Sequence, residues 1–168
     1  SYPRFNAQVS TLDIKNGISE YRKLKGHNPD IVIIDSMDLL TAAARRAWDA
    51  SHERAKRIAV ANDLKDLASD EKVWMVVTYQ STIEDREWLN DERNVLTEYN
   101  CSEAKGLSRP CTHLISLNQS AAERKENVMR LHVAKSRFFK KGDTIKIATD
   151  YDNEVFYDSQ RTLNLNRE

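Results

Sequence analysis

The sequence predicts an α/β fold: a mostly parallel sheet flanked by helices, closed by an antiparallel C-terminal extension. Three observations carry this expectation. Ile31-Val32-Ile33-Ile34 and Val73-Trp74-Met75-Val76-Val77 are unbroken apolar runs of strand length, the pattern of strands covered on both faces. A long stretch of helical character separates them, so the order is helix, strand, helix, strand. Later runs follow one another across short charged turns, a spacing that suits antiparallel neighbours.

The elements follow in order. Residues 10 to 25 read as a helix, with Ser10 and Asp13 three residues apart as a capping box. Ile14, Ile18 and Tyr21 make one apolar stripe at helical spacing. Gly26 and Asn28-Pro29 stop it. The first strand, 31 to 34, delivers Asp35 at its end. Residues 41 to 69 are helical in character, with a break near Asp49-Ala50-Ser51. Ala42, Ala43, Ala44 and Ala47 favour helix, and Val60, Leu64, Leu67 and Ala68 form an apolar side. The second strand runs into Thr78-Tyr79-Gln80, and Trp74 within it is expected in the core.

Residues 81 to 110 show no apolar period and many charges. So long a segment is read as a functional loop with short helical pieces. His113 to Leu117 is a third strand, and Val128 to Ala134, Thr144 to Ala148 and Glu154 to Tyr157 are three more. Lys140-Lys141-Gly142-Asp143 and Asp150-Tyr151-Asp152-Asn153 supply turns. Glu123-Arg124-Lys125-Glu126 reads as a solvated turn. One domain is expected over 1–158, with a tail over 159–168.

Composition narrows the classes. The chain has 168 residues, with 26 Lys and Arg against 26 Asp and Glu. That length is enough for one domain with a proper core. Balanced charge excludes a globally basic nucleic-acid binder but leaves room for a local basic surface. No apolar run approaches the roughly 20 residues that span a bilayer, and the first residues contain no signal-peptide core. Cys101 and Cys111 do not make a disulfide scaffold, and free thiols in a reducing cytoplasm are expected. His27, His52, His113 and His132 lack ligand spacing. None of the four glycines is followed by Lys, so the phosphate-cradling pattern G-x-x-x-x-G-K-[ST] is missing. The chain begins at Ser1, and a longer parent is expected.

Three constellations remain. A strand that ends in a carboxylate, Asp35, suits the hydration shell of Mg²⁺ beyond the carboxyl ends of a sheet. Asp35 equally suits the opening of an ordinary turn. Gln80 ends the next strand and points into the same crevice, where a glutamine can orient water or sense a phosphate. Lys135 and Arg137 stand two apart, so a strand places both on one side as a fork for phosphate oxygens. They also suit a solvated strand edge.

The ordered set of motifs resembles a known family. Pro29-Asp30-Ile31-Val32-Ile33-Ile34-Asp35-Ser36, Leu64-Lys65-Asp66-Leu67-Ala68, Val76-Val77-Thr78-Tyr79-Gln80, Ile115-Ser116-Leu117-Asn118-Gln119 and Leu131-His132-Val133-Ala134-Lys135-Ser136-Arg137 follow in sequence. They resemble the RecA-like motor domain of DnaB-type hexameric replicative helicases, phage versions included. The resemblance runs from about residue 10 to 158. RadA-like and KaiC-like ATPases share the same core.

The resemblance implies roles. Asp35 matches the Walker B carboxylate that holds Mg²⁺ with ATP. Gln80 matches the glutamine that links nucleotide to DNA-contacting loops. Arg137 matches the arginine finger that enters a neighbouring subunit's ATP site, and Lys135 matches the lysine before it. Single-stranded DNA and identical subunits in a ring are the implied partners. The implied location is the cytoplasm, that of the host if the source is a phage. Segment 81 to 110 takes the place of a central-channel loop, with Arg86, Arg93, Lys105 and Arg109 as its cations. Arg45, Arg46 and Trp48 offer a second contact suited to sequence-independent binding of single strands. The same segment holds Glu84, Asp85, Glu87, Asp91, Glu92, Glu98 and Glu103, and is net acidic.

The departures are the phosphate loop and the glutamate that follows it in the family, neither of which is present. The chain by itself is therefore not expected to hydrolyse ATP. Two rivals stand beside the motor fragment. One is a degenerate, non-catalytic RecA-like assembly module. The other is a Mg²⁺-dependent nuclease, loosely suggested by Pro29-Asp30, Glu103-x-Lys105 and the pair Asp35 and Asp38.

Overall fold

The computed structural model describes residues 9–42, 52–81, 83, 85–100 and 105–158. Two compact units divide the chain. One takes Ser1–Gln80 with Glu103–Cys111, the other Ser81–Ser102 with Thr112–Glu168.

The first unit begins with helix α1, Thr11–Lys25. Its entry is fixed by the capping box: the Ser10 Oγ accepts from the Asp13 backbone N–H, and Asp13 accepts from the Ser10 N–H at 2.8 Å. Gly26 ends it at φ 79°, where its N–H reaches the Arg22 carbonyl. Of the expected apolar stripe, Ile18 is buried and Ile14 half-buried, while Tyr21 stays exposed. Strand β1, Ile31–Ile34, pairs in parallel with β2, Trp74–Val77, and helix α2, Glu53–Glu71, forms the crossover. Residues 43–51, where a helix break was expected, lie outside the described residues.

Ile34, Met37, Leu40, Val60, Ala61, Leu64 and Leu107 make the main core, and Ile18, Leu67 and Val73 a second one. The expectation of strands covered on both faces does not hold among the described residues. Val32, Ile34, Met75 and Val77 pack inward. Their alternates Ile33 and Trp74 are 72% and 74% exposed, and Ile31 and Val76 join them. Trp74 is thus not a core residue. An apolar run reports only that both faces seek cover; it does not say which face receives it. Helix α4, Lys105–Ser108, closes against α2, where a Cβ on Gly106 would stand 2.6 Å from the Ile58 side chain.

The second unit is a four-stranded antiparallel meander. Its order is β3 (His113–Asn118), β4 (Val128–Ser136), β5 (Thr144–Asp150) and β6 (Val155–Tyr157). These strands form a sheet of their own rather than the closing strands of the parallel pair. One face is apolar and partly open: Ile115, Leu117, Ile145 and Phe156 are exposed. The other is polar and carries the segment that precedes it. Leu96 N–H donates to Asn118 Oδ1, and Ser116 Oγ donates to the Leu96 carbonyl. Arg130 donates to the carbonyls of Glu92 and Asn94 at 2.6 and 2.8 Å.

The buried partner of Arg130 corrects the reading of residues 123–126 as a solvated turn. Ala121–Lys125 is helix α5, capped reciprocally by Ser120 and Glu123. Glu123 is 2% exposed. Its Oε1 stands 2.7 Å from Arg130 Nε, a charge pairing outside hydrogen-bond directionality. Its Oε2 accepts from the Ser120 N–H. The charge run in the sequence hid one residue that faces inward.

The segment over 86–100 is likewise organised. Helix α3, Arg86–Asn90, is capped by Asp85, which accepts from the N–H groups of Glu87 and Trp88. Asp91 then holds Arg93 through Nε and Nη2 contacts of 2.9 and 2.6 Å. The hydrogen bond from the Arg93 side chain, helped by its backbone N–H, lowers the Asp91 carboxyl from 3.8 to about 2.

Two outcomes follow from these pairings. Glu123→Ala leaves Arg130 buried without its counter-charge and should cost about 3–5 kcal/mol in urea unfolding, whereas Glu123→Leu with Arg130→Met should cost far less. A loss under about 1 kcal/mol for the single change would show that the pair is not what holds helix α5 to the sheet. For Asp91 the folded value lies below the unfolded one, so its contribution is complete above the unfolded value and is lost as pH falls through about 2. An NMR titration of the Asp91 carboxyl carbon with a midpoint near the ordinary 3.8 would contradict the Arg93 contact.

Candidate functional site

The parallel register decides what meets at the carboxyl end of the first unit's sheet. Ile34 pairs with Val77, so Asp35 and Thr78 leave the two strands side by side. Thr78 Oγ1 donates to Asp35 Oδ1 at 2.5 Å. The Thr78 N–H donates to the Ile34 carbonyl, and its own carbonyl accepts from the Met37 N–H. A short 3₁₀ turn, Met37–Leu39, then brings Asp38 back, and its Oδ2 accepts from the Gln80 N–H at 3.4 Å. Met37 and Leu40 are buried and anchor this turn. Tyr79, between Thr78 and Gln80, is held at its hydroxyl by Arg57.

The result is an exposed polar ledge of Asp35, Asp38, Thr78 and Gln80 at one edge of the sheet. Asp35 and Gln80, predicted separately, open on the same end. Thr78 and Asp38 as their connectors were not foreseen. The signal was available in Thr78-Tyr79-Gln80 and Asp35-Ser36-Met37-Asp38, two polar pairs at the ends of adjacent strands. The donor set is hard oxygen, and two carboxylates with a hydroxyl suit the hydration shell of a small divalent cation. Among the described residues no group of three or more His, Cys, Asp or Glu forms a self-sufficient metal cage. A triphosphate would have to supply oxygens of its own.

Lys135 and Arg137 belong to the second unit. Lys135 is half-buried near the end of β4, opposite Leu114. Arg137 lies one residue past the strand, is exposed, and continues the ladder through its N–H to the Thr112 carbonyl at 3.1 Å. A register irregularity sits between Leu114 and Ile115 just beside them.

The expected DNA contacts divide between the two units. Arg86 and Arg93 fall in the second unit, with Arg93 engaged by Asp91. Lys105 and Arg109 fall in the first, and Arg109 is exposed just after α4. Segment 81 to 110 is therefore shared between two units rather than being one loop. Arg45, Arg46 and Trp48 lie outside the described residues, as do Glu84, Cys101 and Glu103. Lys105 begins a helix, so the strand placement that a nuclease would need for its lysine is not met. Cys111 is half-buried, and its Sγ donates to the Leu107 carbonyl at 3.6 Å. No helix among the described residues is long and apolar enough to cross a membrane.

No protein-family model matches the chain, and no curated protein matches it. Solved structures do. A DnaB-like replicative helicase, solved in connection with its interactions with primase, aligns at TM-score 0.72 and 20% identity. The alignment covers 89% of this chain and 36% of that one. A second solved structure, of an ATPase domain, aligns at TM-score 0.71 and 22% identity, over 90% of this chain and 52% of that one. The chain thus spans about a third to a half of the length of these structures. Over that span it has the fold of the RecA-like ATPase domain of DnaB-like replicative helicases.

Proposed function

We propose that this chain is part of the ATP-driven motor domain of a replicative DNA helicase, in which hydrolysis around a ring of identical subunits moves single-stranded DNA. The observation that carries the reading is the shared polar ledge at the carboxyl ends of β1 and β2, where Thr78 joins Asp35 and Asp38 joins Gln80. Ligands of open α/β sheets gather at such ends. Asp35 is the residue to hold the hydration shell of Mg²⁺ on ATP, and Gln80 the residue to report a phosphate to the segment that begins at Ser81. Lys135 and Arg137 stand at a strand end, as a group reaching a neighbour's nucleotide must. Bound Mg-ATP would supply the phosphoryl group and its neutralising charge. An arginine delivered from outside would stabilise charge on the transferring phosphoryl. The working location is the cytoplasm.

A second reading, the non-catalytic assembly module, is favoured by one observation: no phosphate-cradling motif exists in these 168 residues. The two readings separate on whether the parent carries G-x-x-x-x-G-K-[ST] in the part of the domain that this chain does not span. The sheet face of Ile31, Ile33, Trp74 and Val76 is apolar and exposed. That suits a domain continued by further structure.

Two measurements test the motor reading. Purified 1–168 should show no saturable ATP hydrolysis; a measurable kcat would remove the argument from the missing phosphate loop. In the parent ring, Arg137→Ala should leave ATP binding nearly intact and lower kcat by about 10³-fold or more. An unchanged kcat would deny Arg137 its role.

A further inference from the structure

Thr78, one residue past the end of β2, is exposed yet fixed. Its N–H donates to the Ile34 carbonyl and its own carbonyl accepts from the Met37 N–H, both at 3.0 Å. The backbone is thus clamped between β1 and the 3₁₀ turn. The side chain is β-branched, so little freedom remains in χ1. From that position Oγ1 donates to Asp35 Oδ1 at 2.5 Å. A hydroxyl bonded to a carboxylate makes one of the stronger hydrogen bonds open to a neutral side chain.

This bond divides the Asp35 carboxylate. Oδ1 is engaged, while Oδ2 makes no hydrogen bond or ion pair with any described residue. An exposed aspartate left to itself samples its staggered rotamers. Held at one oxygen, Asp35 offers the other in one direction. Cations differ in what they ask of a carboxylate. Mg²⁺ demands near-octahedral geometry and keeps several waters, so a single carboxylate oxygen serves it. Ca²⁺ takes more oxygens and accepts both from one carboxylate. To offer both, Asp35 would have to give up the Thr78 bond.

We propose that Thr78 is a positioning residue that sets the cation preference of the site: by holding Oδ1 it leaves Asp35 one oxygen to give, which suits Mg²⁺ and disfavours Ca²⁺. The proposal rests on the motor reading, in which Asp35 serves the Mg²⁺ of bound ATP, and adds how the choice of cation is made. Thr78 acts through Asp35 and has no need to touch the metal. Its hydroxyl and its stiffness can be removed separately. Valine keeps the branched shape without the hydroxyl, and serine keeps the hydroxyl without the branch.

NMR three-bond couplings of purified 1–168, without metal or nucleotide, test the holding. Asp35 should occupy one χ1 rotamer in the wild type, average over several in Thr78→Val, and stay largely in one in Thr78→Ser. Amide spectra of both variants should otherwise match the wild type, because the Thr78 side chain is exposed. The preference is read in the parent ring from the Kd of a fluorescent, non-hydrolysable ATP analogue, taken as its Mg²⁺ and as its Ca²⁺ complex. Thr78→Val should lower the ratio of the Ca²⁺ Kd to the Mg²⁺ Kd by about tenfold, and Thr78→Ser by less than about twofold. A merely structural role would weaken both complexes alike and leave the ratio where it was. That result overturns the proposal. So does an Asp35 rotamer that is averaged in the wild type, or as fixed in Thr78→Val as in the wild type. A parent that binds neither complex removes the motor reading and this proposal together. A parent that binds both, with a ratio indifferent to Thr78, removes the proposal alone and leaves the motor reading to the Arg137→Ala kinetics.

Discussion

The parallel register of β1 and β2 is the constraint on which the candidate site depends. Pairing Ile31 with Trp74 through Ile34 with Val77 brings Asp35, 43 residues before Thr78, within hydrogen-bond reach of its hydroxyl. In a parallel pair both strands end on the same side, so the polar residues that follow them converge without further design. Helix α2 makes the parallel arrangement possible, and its Val60, Ala61 and Leu64 share the core with Ile34. A substitution that slipped this register by one residue would turn Val32 and Ile34 outward and part Asp35 from Thr78. Packing and chemistry are thus fixed by the same pairing.

The elements legible in the sequence were those whose determinants are local. Ser10 and Asp13 mark the start of α1, Gly26 its end, and the β-branched run its neighbour strand; each signal acts within a few residues. The antiparallel strands were legible for the same reason, through the charged turns between them. Cover was not legible. Ile33 and Trp74 look like core residues in any one-dimensional pattern, and their exposure depends on what else packs on the sheet. Asp35 and Gln80 could be found because each follows an apolar run. Asp38 was legible only as a second carboxylate near Asp35; its bond to Gln80, and that of Thr78 to Asp35, gain meaning only once the strands are aligned.

Glu123 shows the same limit from the other side. Four charged residues in succession look solvated, yet the sequence Ser120-Ala121-Ala122-Glu123 carries a capping box that folds the third helical position back on the cap. That fold-back turns the carboxylate toward the sheet, where Arg130 waits. Arg130 in turn holds the carbonyls of Glu92 and Asn94. A buried charge here therefore organises part of the segment that precedes β3. Local capping chemistry, overlooked in a charged run, has consequences well beyond one turn of helix.

The division of groups between the two units has a mechanistic consequence. The carboxylates and the glutamine are on one unit, the Lys135 and Arg137 strand end on the other. A phosphoryl-transfer site needs anionic groups to manage the metal and cationic groups to take up developing charge. If one copy supplied the first set and its neighbour the second, hydrolysis would require contact between copies, and contact would be felt at Asp35 through Thr78 and at Gln80 through Asp38. Net charge near zero is consistent with such complementarity, since an overall charge of one sign would oppose stacking like copies. In the proposed motor, grip on a single strand would come from local cations rather than from the domain as a whole, so holding a strand and joining copies would draw on different groups.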